Sequence, residues 1–289
     1  MQITERIMAA VPANLAQGLN ATSTLTVSEP GALDLSRLVM GSTYTQDVGA
    51  PNYVDYDATS ATFCSSLLWN GAQQLIRGRN APQAPGGAFS ALRNGPVIPL
   101  GSYNGQSSDT LALQLTMPAN TVGAAGGATT FSFVTPIQPQ NRRQGYTGIL
   151  PKQIAYAGSA VQAIGGGAAG NIVFTADSDM VVDLASMVVS VIPDMSGVAA
   201  FSANFDAASL AGITQITLAT GERLVLGQGA VAVPGTLFSA KRQADWVRLG
   251  LEQVQGGSQI TVAIQNLGAN QANFSVGFIC YPRNGESGC

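Results

Sequence analysis

The sequence predicts an all-β chain of two tandem β-sandwich modules, with short helices before each. Three observations predict it: period-two alternation of apolar residues, dense turn punctuation, and an internal repeat at an offset of 149 residues. Alternation is clearest at Leu111-Ala112-Leu113-Gln114-Leu115 and Ile260-Thr261-Val262-Ala263-Ile264, where the bulky side chains share one strand face. Phe131-Ser132-Phe133 and Phe274-Ser275-Val276 follow the same rule. Asn70-Gly71, Asn94-Gly95, Asn104-Gly105 and Asn284-Gly285 mark turns, because Asn and Gly tolerate positive φ. With 34 Gly and 14 Pro in 289 residues, the pattern is that of a sandwich or barrel rather than of helices alternating with strands.

The repeat is the most informative feature. Leu25-Thr26-Val27 through Leu33-Asp34-Leu35-Ser36 aligns without gaps to Phe174-Thr175-Ala176 through Val182-Asp183-Leu184-Ala185. The same offset pairs Leu111, Leu113 and Leu115 with Ile260, Val262 and Ile264. Past a hairpin six residues shorter in the second copy the offset becomes 143, and Phe131-Ser132 meets Phe274-Ser275, Pro139 meets Pro282 and Asn141 meets Asn284. The middles, roughly 41–108 and 190–258, align poorly, as long loops diverged for different contacts would. Asp34 and Asp183 recur at equivalent positions, which points to a shared structural job such as capping a turn.

Helical signal is confined to two places. Gln2 to Val11 puts Ile3, Ile7, Met8 and Val11 on one helical face, and Lys152 to Ile164 follows Pro151 and stops at Gly165-Gly166-Gly167. The expected organisation is therefore an N-terminal helix or arm over 1–20 and a first module over 21–148. A helix and Gly-rich linker over 149–170 then lead to a second module over 171–289.

Charge is scarce. Asp, Glu, Lys and Arg make up 10 % of the chain, against about 25 % in ordinary soluble domains. A monomer of 29.6 kDa exposes roughly 11,600 Å², so its 13 basic and 16 acidic residues give about one charge per 400 Å². Either Ser, Thr, Asn and Gln keep that surface wet, or much of it is subunit interface, where charge is depleted; the second reading fits better. The formal net charge of −3 and the two-residue basic clusters Arg77/Arg79, Arg142-Arg143 and Lys241-Arg242 give no grip on nucleic acid. Cys64, Cys280 and Cys289 make no disulfide framework; the first two sit in apolar runs and read as buried thiols. No basic start precedes an apolar run at the N-terminus and no stretch approaches 18 apolar residues, so neither export nor membrane insertion is expected.

Catalytic chemistry finds little purchase. The absence of histidine removes the commonest general base and the Ser-His-Asp and Cys-His arrangements. A carboxylate-only glycosidase would need two converging acids, and Asp55/Asp57 and Asp177/Asp179 are the pairs on offer. Both lie beside Ser and Thr where turns are expected, which suits solvated loops better than a Ca²⁺ site. Gly165 to Gly170 lacks the Lys-Ser/Thr of a phosphate-binding loop, and Gly123 to Gly127 reads as a hairpin tip. Trp69 and Trp246 sit in apolar runs and read as core. No enzyme activity, cofactor or metal is expected.

Tandem sandwiches of low charge, carried by the Leu25–Met40/Phe174–Val189 repeat, the strands at Leu111 and Ile260 and the ends at Phe131 and Phe274, resemble the double jelly-roll major capsid proteins of small icosahedral, often membrane-containing bacteriophages, the PRD1/PM2-like group. The resemblance implies a homotrimer forming a pseudo-hexagonal capsomer, assembly into a virion shell in the host cytoplasm, and penton or minor capsid proteins as further partners. It also implies that Ile3, Arg6, Ile7, Met8 and Val11 lie at the inner shell surface, against an internal lipid membrane or a neighbouring capsomer. With Arg6 the one basic residue there, strong attraction to anionic lipid is not expected. The alternative is a phage fibre, decoration or lectin-like surface-binding protein, for which Tyr44, Tyr53, Tyr56 and Trp69 are the nearest approach to an aromatic cluster.

Overall fold

A computed structural model describes residues 6–16, 18–45, 62–90, 100, 102–119, 128–139, 155–194, 206–225, 232–242 and 249–283. The first half of the chain contributes β1 (Arg6–Ala9), β2 (Ala13–Leu15), β3 (Asn20–Thr26), β4 (Gly31–Asp34), β5 (Val39–Thr45) and β6 (Phe63–Trp69). It continues with β7 (Gln73–Gln74), β8 (Ile76–Arg77), β9 (Ala84–Pro85), β10 (Ser102–Gly105), β11 (Thr110–Thr116) and β12 (Ala128–Pro139). The second half gives β13 (Ala155–Gly158), β14 (Gln162–Ile164), β15 (Ala169–Thr175), β16 (Met180–Pro193) and β17 (Ala211–Thr217). It ends with β18 (Val233–Pro234), β19 (Leu251–Val254), β20 (Gln259–Asn266) and β21 (Ala272–Pro282).

The connectivity identifies the fold. β1 and β2 pair end to end along one side of β12, while β4 and β5 do the same along its other side. Each pair therefore acts as one interrupted strand, and the first module has eight strand positions. One sheet runs in the order 1-8-3-6, ending at β10, and the facing sheet runs 2-7-4-5 as β3-β11-β6-β9. The second module repeats both orders, with β13/β14-β21-β16-β19 in one sheet and β15-β20-β17-β18 in the other. Two antiparallel sheets so connected form a jelly roll, and the chain is two of them in tandem.

The repeat runs further than the alignment of side chains indicates. An offset of 149 carries β1 onto β13, β2 onto β14, β3 onto β15, β9 onto β18 and β10 onto β19. It also carries the 3-10 turn Gly86–Phe89 onto the turn Gly235–Phe238. A bulge in β6 opposite Gln114/Leu115 recurs in β17, and the bulged Ser65 and Thr214 each donate a hydroxyl to the neighbouring strand. The expectation of diverged loops across the middles is corrected accordingly: the described parts of both keep one frame. Outside 85–93 and 234–242, identity is low there because the elements are short and only their inward positions are constrained.

Both expected helices are also corrected. Residues 6–9 and 13–15 are strands on β12, and residues 155–158 and 162–164 are strands on β21. The helical stripe rested on four side chains, of which Met8 points into the core while Ile7 and Val11 are exposed. Ile7 lies on the edge strand β1 instead, and Val11 in the link between β1 and β2. Gly165 to Gly167 is a tight turn between β14 and β15, with Gly167 at φ +69°. Of the four Asn-Gly signals, Asn70-Gly71 makes a turn with both residues at positive φ. Asn104-Gly105 lies inside β10, against Ala32 and Gly31, with the turn displaced to 106–109; Asn94-Gly95 and Asn284-Gly285 lie outside the described residues.

Each core lies between its two sheets. Leu25, Leu33, Leu111, Leu113, Leu115, Phe131 and Phe133 fill the first, and Phe174, Val182, Ile260, Val262, Ile264, Phe274 and Val276 the second. Asp34 and Asp183 do share a structural job. Asp34 accepts the Ser36 N–H at 3.1 Å and Asp183 the Ala185 N–H at 3.0 Å, each fixing the chain where strand position 3 is interrupted.

Candidate assembly surface

The two jelly rolls are joined through β8. Residues 76–77 leave the first module and add a parallel strand to the outer edge of β13, with Ile76 opposite Tyr156 and Arg77 opposite Ala157. The Tyr156 N–H donates to the Leu75 carbonyl at 3.0 Å. Gln83 then bridges to Ser159, and the Arg79 N–H donates to the Thr175 carbonyl at 2.9 Å. Close approach requires Gly158, whose Cβ would stand 2.8–3.0 Å from the backbone of Gln83 and Ala84. Phe89 meets Tyr156 edge to face at 6.1 Å between centroids, and Tyr156 and Ile279 belong to the first module's hydrophobic cluster.

That junction buries one sheet on both faces. Val188 to Pro193 on β16 and Phe274 to Cys280 on β21 are buried without alternation, unlike β11 and β20. The inward residues meet their own module's core, and β16 and β21 also meet residues 84–89 and the 3-10 turn Ala207–Leu210. Among the described residues, no strap lies along the equivalent edge of the first module, and its outer face is exposed or half-buried. Ile7, the counterpart of the fully buried Tyr156, is 76 % exposed. Val39 and Val134 are half-buried and Gly41 is exposed, while their counterparts Val188, Gly277 and Ser190 are buried.

The residues singled out in the sequence fall on both sides of that sheet. Ile3 lies outside the described residues. Arg6 is exposed and donates from Nη1 to both carboxylate oxygens of Glu29 at 2.7 Å, an ion pair worth little in solvent. Ile7 and Val11, the latter 69 % exposed, face outward, and Met8 is core. The Val11 backbone is held from the facing sheet: its N–H donates to Thr24 and its carbonyl accepts the Ser23 hydroxyl.

The acids and thiols have structural partners. Asp177 Oδ2 lies 3.5 Å from Arg77 Nη1, and its carbonyl accepts from Arg79 at 3.3 Å, which places this basic cluster at the junction. Asp179 accepts the Gly256 N–H at 3.0 Å and pairs with Arg283 at 3.2 Å. Among the described residues no cluster of three His, Cys, Asp or Glu could hold a metal ion. Asp55, Asp57, Arg142, Arg143, Trp246 and Cys289 lie outside the described residues. Burial pushes the Cys64 and Cys280 thiols up to about 12. Trp69 is core, its ring 5.4 Å from Tyr103.

One element escaped the sequence reading although its signal was present. Pro85-Gly86-x-x-Phe89-Ser90-Ala91-x-Arg93 recurs at the same offset as Pro234-Gly235-x-x-Phe238-Ser239-Ala240-x-Arg242. Phe89 sits at the junction and Phe238 in the second core. Arg242 is buried, donating from Nη1 to the Met187 carbonyl at 2.6 Å and from Nη2 to the Ala185 carbonyl at 2.8 Å.

No family model and no curated protein matches the sequence. Among solved structures the chain is similar to the major capsid protein P2 of bacteriophage PM2, at 8 % identity and a TM-score of 0.38 over 98 % of this chain and 100 % of that one. It is similar to a triple jelly-roll protein of an archaeal virus at 10 % identity and a TM-score of 0.22, covering 94 % of this chain and 59 % of that one. A Paenibacillus xanthan lyase is matched at 12 % identity and a TM-score of 0.20, over 95 % of this chain and 25 % of that one.

Proposed function

We propose that this chain is a structural capsid protein that assembles with copies of itself. In this reading three chains form a pseudo-hexagonal capsomer, and capsomers close an icosahedral virion shell in the host cytoplasm. Penton or minor capsid proteins fill the remaining positions. An internal lipid membrane is a candidate partner for the first residues of the chain.

The observation that carries the reading is the duplication. Two jelly rolls of one strand order are joined in one chain, sealed by the strap of residues 76–84. Such a tandem suits a tile repeated around an axis, since head-to-tail contacts of one kind close into rings. The low charge supports it, because a surface covered by neighbours needs fewer charges than one facing water. The glycan-binding alternative gains nothing from Trp69, which is committed to the core.

Size-exclusion chromatography with light scattering, followed by electron microscopy, tests the proposal. A particle of three times the 29.6 kDa chain that condenses into closed shells is expected. A monomer at every concentration that binds glycans would overturn it.

A further inference from the structure

The exposed edge of the first module's sheet at Ile7 has a counterpart elsewhere in the molecule that is covered. In the second module, residues 75–77 lie along β13, and the equivalent strand β1 has no such strand beside it among the described residues. The segment corresponding to the strap enters the same way: the Leu224 N–H donates to the Ile216 carbonyl at 2.9 Å, as the Leu75 N–H does to Leu67 at 2.8 Å. Within the chain Leu224 and Val225 pack against the second core and make no pairing with β1 among the described residues.

We infer that Leu224 and Val225 of one copy dock beside β1 of a second copy, Val225 opposite Ile7, repeating between chains the contact that β8 makes within one. The inference rests on the capsid reading and names the contact that reading requires. Three features of the receiving side fit. Pro136 lies opposite Ile7 and has no N–H to offer, so by ladder alternation Ile7 turns its own N–H outward, as Tyr156 does toward Leu75. The outward side chains nearest Ile7, namely Ala9, Val39, Val134 and Pro136, are apolar, with Ser132 following on the same face and the Arg6–Glu29 ion pair at the start of β1. Val134 occupies the position of Gly277, over which the Tyr156 ring lies so closely that a Cβ would meet it at 2.4 Å. In the first module the smaller Ile7 with the larger Val134 replaces Tyr156 with Gly277. The face is thus rebuilt at similar bulk for the same use. A contact joining unlike surfaces is head-to-tail and propagates around an axis rather than stopping at a pair.

Full-length chains carrying Cys289→Ser provide the test, since Cys64 and Cys280 are buried. Neighbouring strands lie about 4.8 Å apart, within disulfide reach. The double variant Ile7→Cys/Val225→Cys should therefore cross-link between chains under mild oxidation, and neither single variant should. Ile7→Asp, which leaves the core untouched, should weaken association by about a hundredfold or more at an unchanged near-UV spectrum. Dimers from Ile7→Cys alone would mean a face-to-face contact and overturn the inference. So would an Ile7→Asp chain that associates within about threefold of wild type; the capsid reading would survive either result. A wild-type chain that stays monomeric would overturn both.

Discussion

Arg242 offers the sharpest test of how the second module is held together. Strand β16 changes register between Asp183 and Val188, which turns the Ala185 and Met187 carbonyls out of the ladder. The Arg242 guanidinium satisfies both, tying the 3-10 turn Gly235–Phe238 to the bulge. Arg242→Met keeps the aliphatic bulk and removes the donors. Stranding a buried carbonyl costs about 1–3 kcal/mol, so a loss of about 3 kcal/mol is expected, part of it returned by no longer burying a charge. Unfolding entropy of about 2.1 cal/mol/K per residue converts this to a fall in Tm of about 5 °C if the whole chain melts together, or about 10 °C if the second module melts alone. Arg242→Lys should fall in between, since an ammonium lacks the planar fork that reaches both oxygens. Differential scanning calorimetry reads both variants, and the number of transitions says which case applies. An Arg242→Met chain melting within about 1 °C of wild type would refute the assignment.

Two further outcomes are expected. Gly277→Ala should destabilise by about 2 kcal/mol, because the new methyl meets the Tyr156 ring; in a Tyr156→Ala background the same change should cost less than half as much, read as a double-mutant cycle in urea. Cys64 and Cys280 should resist a thiol reagent at pH 8 in the native protein and react once guanidinium unfolds it. Their thiols rise from 9.0 to about 12 on folding, so the folded state favours the protonated form. That contribution is intact below pH 9 and lost as pH climbs from 9 to 12, which equilibrium unfolding across that range will show.

The frame of the fold was legible because strand interiors enforce alternation. Leu111, Leu113 and Leu115 must face one core and Ile260, Val262 and Ile264 the other, and a constant offset between them exposes the duplication. Ile7 and Val11 misled because a short strand at a sheet edge, and the link that follows it, need not alternate by burial: one neighbour lies across a single edge and the rest is solvent. Asn104-Gly105 misled because positive φ is permitted there, not required, and pairing with Ala32 and Gly31 won. The assembly surface was illegible for a different reason. Val39 matches Val188, but Ile7 and Val134 stand where the second module has Tyr156 and Gly277, and only the strap over β13 shows that one set is buried while the other is exposed or half-buried. Arg242 was legible in principle, through the Pro-Gly-x-x-Phe-Ser-Ala-x-Arg repeat, since six identities at the common offset mark a constraint stronger than alternation.

The strap also sets a schedule for synthesis. Residues 76–84 leave the ribosome roughly eighty residues ahead of β13, which at about 5–20 residues per second is a wait of about 4–16 s. During that interval the first jelly roll can complete its own sheets while Phe89 and the β8 edge still lack Tyr156. The nascent chain thus carries an adhesive margin that its own continuation must reach before a neighbouring polypeptide does, and translation speed becomes part of how the two halves find each other.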